Sequence, residues 1–132
     1  MLSENLQIYR DCYELAKALM TGESQVPKQL RYGEYGRAVS MSLNALDMVY
    51  VANSDIMGRP AALTRMLQLL GGVRSRVRLM GELRHLPVRR TAYLMILIDR
   101  VSRQAIGWRN ATSQGQSRGA TATREYRSPE KR

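Results

Sequence analysis

Four stretches of the chain carry apolar residues at intervals of three and four, and segments containing glycine or proline separate these stretches. Such intervals line one face of an α-helix, whereas a half-buried strand would alternate in steps of two. The stretches cover residues 3–21, 31–53, 60–83 and 88–110. Short links between amphipathic helices favour antiparallel neighbours. The sequence therefore predicts an all-α fold, an up-and-down antiparallel four-helix bundle.

The start of the second helix is left open between Arg31 and Gly36, because two glycines weaken its first turns. In the third helix Gly71 and Gly72 interrupt the apolar pattern, and we expect a neighbouring backbone to pass close to them. The predicted core faces of the four helices, in chain order, are Leu6, Tyr9, Tyr13, Ala16 and Met20; Tyr32, Tyr35, Val39, Leu43, Leu46 and Tyr50; Leu63, Met66, Leu70, Val73, Val77 and Met80; and Leu94, Ile98, Val101, Ala105 and Trp108.

The length of 132 residues fits one domain, which we place at residues 1–111. From residue 112 the composition changes to Thr, Ser, Gln, Gly, Ala and Arg without an apolar period. Such a segment cannot bury enough apolar surface to offset the entropy of ordering. We therefore predict that residues 112–132 form a disordered basic tail.

Positive charge is concentrated in the second half of the chain. Residues 1–58 hold five basic and seven acidic residues, whereas residues 59–111 hold eleven arginines and only two acids, Glu82 and Asp99. Arginine offers a planar fork of donors that suits phosphate. The excess therefore predicts a surface for the phosphate backbone of a nucleic acid. An alternative is a solvated surface that also meets the acidic first half of a neighbouring subunit.

Nine arginines are the candidate contacts for nucleic acid or a partner. Arg74 and Arg78 share one side of the third helix, and the opposite flank carries Arg65 and Arg76. Aromatic residues are not interleaved with these arginines, which argues against base stacking on single strands. The complete set is Arg65, Arg74, Arg76, Arg78, Arg84, Arg89, Arg90, Arg100 and Arg103.

The residues that catalysis and metal binding need are nearly missing. His85 is the only histidine, so a Ser–His–Asp set has a single possible centre, and we expect a structural or solvated role for that residue. Cys12 is the only cysteine, and one thiol with one histidine makes no metal site. The carboxylates are scattered, and no phosphate-binding loop is present. We expect a protein that is not an enzyme and that has no metal or cofactor. With neither a signal peptide nor an apolar run that could cross a membrane, we expect a cytoplasmic protein.

Several segments together resemble a known family over about residues 7–110. They are Tyr13-Glu-Leu-Ala-Lys17, Val26-Pro-Lys28, Arg31-Tyr32, Val73-Arg-Ser-Arg-Val-Arg-Leu79 and Gly107-Trp108. In this order and spacing they resemble the accessory variability determinant (Avd) proteins of diversity-generating retroelements. The chain is also similar to the wider four-helix-bundle group that includes proteins encoded by intervening sequences in ribosomal RNA genes.

The resemblance implies a homopentameric, positively charged barrel of bacterial or phage origin. It also implies a non-catalytic accessory protein that binds a reverse transcriptase and its template RNA, or an RNA/DNA hybrid, during mutagenic complementary DNA synthesis. Arg74 and Arg78 match basic positions of the family. The alternative function is a helical-bundle protein–protein interaction module whose arginine surface serves oligomer contacts.

Overall fold

The computed structural model describes the backbone of residues 2–127 and the side-chain surroundings of residues 2–115. Over this part of the chain every regular element is helical and no strand occurs. A short helix, α2, covers Lys28–Arg31, and 3₁₀ turns cover Ser3–Asn5 and Glu23–Gln25. The four long helices are α1 (Gln7–Thr21), α3 (Glu34–Ser54), α4 (Arg59–Glu82) and α5 (Val88–Arg127).

The long helices form a closed ring in which each helix packs on two others. The neighbouring pairs are α1 with α3, α3 with α4, α4 with α5, and α5 with α1. Side-chain contacts give the directions: Asp11 near the start of α1 bonds Gln104 far along α5, whereas Ala18 near its end bonds Arg90 at the start of α5. Helices α1 and α5 are therefore antiparallel, and so are the other neighbouring pairs. The predicted up-and-down four-helix bundle is confirmed for the part of the chain that the structure describes.

The core is mainly aliphatic, and Tyr35 is the one aromatic residue among its buried members in the described part of the chain. On α4 all six residues of the predicted core face are buried, and on α5 so are Leu94, Ile98, Val101 and Ala105. Cys12, Leu15 and Leu19 contribute from α1. Because these residues recur along whole helices, one continuous core runs the length of the bundle.

The apolar faces of α1 and α3 were predicted only in part. Five residues predicted for the core are exposed in the structure, namely Tyr13, Met20, Tyr32, Leu43 and Tyr50, and Tyr32 lies in the break before α3. Toward the interior α3 instead presents Tyr35 and a row of small residues, namely Ala38, Ser42, Ala45, Val49 and Ala52. The apolar stripes of α1 and α3 are thus wider than the bundle can cover. Each helix buries only the part that faces its two neighbours.

The beginnings of the first two long helices also differ from the prediction. The first predicted helix starts at residue 3, but α1 begins at Gln7, and the Ser3 hydroxyl accepts a hydrogen bond from Asn53 Nδ2 at 3.1 Å. The break at Gly33 separates α2 from α3, which begins at Glu34. Gly36 lies in the first turn of α3, where an added Cβ would be 2.7 Å from the Arg31 carbonyl oxygen. Glycine is therefore needed at that position for steric reasons.

The two glycines in α4 have different surroundings. A Cβ on Gly72 would lie 2.5 Å from Met41 Cε of α3, so the close neighbour is a side chain and not the backbone that we expected. A Cβ on Gly71 would meet nothing within 4 Å. Only Gly72 is explained by packing inside this chain.

The last helix continues beyond its predicted end. Trp108 lies beside Arg59, the first residue of α4, so the bundle ends near this level of α5. The backbone nevertheless stays helical to Arg127, and the predicted helix end near Asn110 is wrong. Extending an existing helix avoids the cost of nucleation, and residues 112–127 contain no proline that would stop it. Residues 128–132 of the predicted tail lie outside the described residues, and disorder of the tail in solution stays a prediction.

Candidate nucleic-acid interface

The candidate arginines lie on α4, on α5 and in the connection between them. Arg65, Arg74, Arg76 and Arg78 project from α4, whose apolar positions face the interior. Because α4 and α5 are antiparallel neighbours, one side of the bundle collects basic residues from both helices. Their interactions divide them into distinct groups.

The two arginines that match the family's basic positions are both paired with carboxylates. Arg74 Nη1 forms an ion pair with Asp99 of α5, and Arg78 Nε donates to Glu82 Oε1 at 3.1 Å. The Arg74 side chain is 47% exposed and that of Arg78 is 74% exposed, so solvent weakens both pairs. The pair Arg74–Asp99 links α4 to α5 and cancels the local charge.

Arg76 projects from the opposite flank of α4, toward α3. Its Nη1 donates to the Gly72 carbonyl oxygen at 3.1 Å, and its Nε lies 3.0 Å from Glu34 Oε2. The Nε–H does not point at that oxygen, so the contact is an ion pair without an aligned hydrogen bond. With its side chain only 25% exposed, Arg76 is a link between α3 and α4.

Arg90 is separate from the surface arginines. It reaches across from α5 to the end of α1, where its Nη2 donates to the Ala18 carbonyl oxygen. The adjacent Leu19 carbonyl accepts a hydrogen bond from the buried Tyr35 hydroxyl. Carbonyls in the last turn of a helix have no partner within the helix, and a cation stabilises the negative end of its dipole. Arg90 therefore acts as a C-terminal cap of α1.

The remaining five candidates make no ion pair among the described residues. Arg84, Arg89 and Arg100 are exposed, and their guanidinium groups have no partner there. Arg103 Nε approaches the Asp99 main-chain oxygen at 3.4 Å, and Arg65 Nη1 approaches Gln68 Oε1 at 3.5 Å. Neither contact is with a carboxylate, so these five arginines keep their charges without a paired acid among the described residues.

Arg84 has an unusual backbone conformation at the end of α4. Its φ is 61°, in the left-handed region that favours glycine. The N–H of Arg84 donates to Gly81 O at 3.1 Å and that of His85 to Met80 O at 2.9 Å, which completes the helix-ending turn. A guanidinium is thus held outward at a position where glycine would be less strained.

Two arginines that sequence reasoning left out serve the other end of the bundle. The Arg59 guanidinium lies 4.9 Å from the Trp108 ring centroid, and its Nε donates to Ala52 O at 2.7 Å. Arg109 Nη1 donates to Thr64 Oγ1 at 3.3 Å. Both link α5 to elements next to it and have a structural role.

Sequence reasoning also missed an exposed apolar face, because it assigned the same residues to the core. This face, which we call the α1/α3 face, contains two neighbouring surface pockets with volumes of about 310 and 240 Å³. Leu46 lines both pockets. Tyr9 and Tyr13 stack along it at 6.3 Å between ring centroids. Tyr50 is 65% exposed on the α3 side. In the ring of helices the α1/α3 face lies opposite the α4–α5 side, which carries Arg84, Arg89, Arg100 and Arg103.

The two residues considered for catalysis have unremarkable surroundings. His85 is exposed in the α4–α5 connection. Cys12 is fully buried, and desolvation raises the pKa of its thiol to about 12, so the nucleophilic thiolate is disfavoured. Among the side chains that the structure describes, no three His, Cys, Asp or Glu residues come together as a metal site requires.

Comparison with known proteins does not assign this chain to a family. No protein-family model matches the chain, and a search of curated proteins finds no match. Within residues 2–127, no helix combines the length and apolar character that crossing a membrane requires.

Proposed function

We propose that this protein is a non-catalytic accessory protein that binds RNA through the arginines of α4, α5 and their connection. The carrying observation is a group of five arginines that make no ion pair among the described side chains, four of which lie on α5 or in the α4–α5 connection of a bundle whose core is already complete. Unpaired surface arginines keep their full charge available for phosphate, and binding releases the counterions that surround the nucleic acid.

The resemblance to Avd proteins supports a more specific proposal. In it the chain acts in a diversity-generating retroelement, in the cytoplasm, as a homopentamer that binds a reverse transcriptase and its template RNA. The polymerase supplies the transferase chemistry, and this chain brings RNA and enzyme together. Five copies of a chain with a net charge of +10 would create a strong attractive field for RNA.

A second candidate function is protein–protein interaction without nucleic acid. The α1/α3 face favours it, because stacked tyrosines and exposed Met20, Leu43 and Tyr50 resemble the composition of protein interfaces. In the form that the sequence suggested, the arginine surface would serve contacts between subunits. The two functions predict a different dependence of binding affinity on salt concentration.

Light scattering of the full chain with and without a structured RNA, over a salt series, separates them. Phosphate binding should weaken steeply with rising salt, by orders of magnitude if several contacts form, whereas an apolar protein interface should persist. A pentamer that binds RNA at low salt and releases it at high salt supports the Avd-like proposal. If the protein binds no RNA at any salt concentration, the Avd-like proposal is refuted and protein–protein interaction is the remaining candidate function.

A further inference from the structure

The arginines of the basic side differ in the net charge around them. We call Arg89, Arg100 and Arg103 the α5 arginine row, and Arg74 and Arg78 the α4 arginine pair. Asp99 and Glu82 each contribute one negative charge beside the α4 arginine pair, so its local sum is zero. Among the side chains of residues 2–115, none forms an ion pair with a member of the α5 arginine row. Asp99 is also the chain neighbour of Arg100, but its carboxylate is paired with Arg74. The arginines of the row therefore keep no paired acid, and an approaching phosphate need not compete with a carboxylate for them.

The α5 arginine row is also straight and rigid. Arg89 and Arg100 are eleven residues apart, which is close to three whole turns, so they project in nearly the same direction. At about 1.5 Å per residue the row extends roughly 21 Å from Arg89 to Arg103. It lies on a helix whose other side is packed into the core through Leu94, Ile98, Val101 and Ala105.

The row offers charge but little to stack on. The other exposed residues between and just beyond its members are Ala92, Tyr93, Ile96, Ile106 and Gly107, so Tyr93 is the one exposed aromatic residue beside the row. Tyr93 lies nearby, but its hydroxyl is 3.5 Å from Glu14 Oε1 of α1. Single strands are usually held by aromatic stacking, whereas base-paired RNA is recognised by its shape and phosphates. A duplex also presents its phosphates in fixed positions, so binding a rigid row costs little ordering entropy.

We infer that the α5 arginine row, and not the α4 arginine pair, holds the phosphate backbone of base-paired RNA. This rests on the proposed function, since it specifies where and in what form RNA binds. The α4 arginine pair then acts within the protein: Arg74 links α4 to α5 through Asp99, and Arg78 pairs along α4 with Glu82. The inference reverses the order of importance that the family resemblance implies for these residues.

The test compares two double variants of the full chain that lose the same charge. Arg100→Gln with Arg103→Gln alters the row, and Arg74→Gln with Arg78→Gln is the matched control. Binding of a labelled RNA hairpin, and of an unstructured strand of equal length, is measured by fluorescence anisotropy over a salt series. Thermal unfolding of each variant confirms that the bundle is intact.

We expect the row variant to bind the hairpin at least tenfold more weakly at low salt. Its log–log dependence of affinity on salt should be shallower by about 1.5–2, as the loss of two phosphate contacts predicts. The control should retain affinity within about threefold and keep its slope, and the wild type should prefer the hairpin to the strand.

Three outcomes would contradict this assignment in distinguishable ways. A control variant that loses as much affinity as the row variant overturns the choice of the row, while RNA binding itself stands. A wild type that binds the unstructured strand as tightly as the hairpin overturns the preference for base-paired RNA. A wild type that binds neither RNA at low salt refutes the proposed function, and the inference falls with it.

Discussion

Two consecutive arginines, Arg89 and Arg90, should respond to the same substitution in opposite ways. Both lie in the first turn of α5, and the sequence alone assigned both to the RNA surface. In the structure Arg89 is exposed without a partner, whereas Arg90 reaches the end of α1 and donates to Ala18 O. Replacing each with methionine removes the guanidinium and keeps much of the aliphatic length.

The expected loss for Arg90→Met follows from what its guanidinium does. A hydrogen bond from a charged donor contributes about 1.5–3 kcal/mol, and a cation at a partly buried helix end adds about 1 kcal/mol. Arg90 Nε is buried without a hydrogen bond, so removing it returns about 1 kcal/mol. The net destabilisation is about 2 kcal/mol. For a chain of this size that lowers the Tm by roughly 8 °C.

Arg89→Met should change the free energy of unfolding by less than about 0.5 kcal/mol, because the side chain is exposed and makes no hydrogen bond or ion pair among the described residues. It should instead weaken binding to an RNA hairpin. Urea and thermal unfolding followed by circular dichroism measure the first effect, and anisotropy with labelled RNA measures the second. If both variants lost the same stability, or if Arg90→Met weakened RNA binding in a fully folded protein, the assignment of Arg90 as a cap would be refuted.

Three further predictions concern stability and reactivity. Gly71→Ala and Gly107→Ala should each stabilise the protein by about 0.5–1 kcal/mol, because an added Cβ meets open space; a lower urea midpoint would contradict this. Burial holds the pKa of Cys12 at about 12, so its thiol should resist alkylation at pH 8 until the protein unfolds, and rapid reaction of the native protein would refute its burial. The pKa of Cys12 in the folded protein lies above the value of 9.0 for a free thiol, so the unfolded chain loses the thiol proton at a lower pH than the folded protein does. The free energy of unfolding should therefore be unaffected by this group below pH 9 and should fall between about pH 9 and 12. Urea unfolding should show a decrease of at most about 1.4 kcal/mol per pH unit. Ending the chain after residue 111 should leave the urea midpoint unchanged, since the buried core ends before that residue; a lower midpoint would show that the tail stabilises the bundle.

The helices and their order were predictable because their signals are local. Apolar spacing and breaks such as Pro60 and Pro87 lie within a few residues of the boundaries they set. The core face of α4 was correct throughout, since all six predicted residues are buried, and Ala62 and Leu69 widen that face. On α3 two apolar faces compete, one with Leu43 and Tyr50 and one with small residues. Periodicity cannot decide which of them a bundle will bury.

The roles of the arginines were less predictable, because they depend on contacts between helices. Arg74 meets Asp99 across 25 positions in the chain, and Arg90 meets Ala18 across 72. Neither pairing leaves a pattern in the local sequence. The sequence could show that basic residues accumulate in the second half of the chain. Sorting them into surface charges, links between helices and a helix cap required the packed structure.

The single tryptophan makes one end of this bundle observable without a label. Trp108 is the only residue of its kind in the chain, and it lies beside Arg59 where α4 begins. Its emission therefore reports on one junction, the contact of α5 with the start of α4, and on no other part of the protein. Loosening of that junction would change the signal while the α5 arginine row could still be occupied. RNA binding and opening of the bundle end can thus be followed separately in one sample.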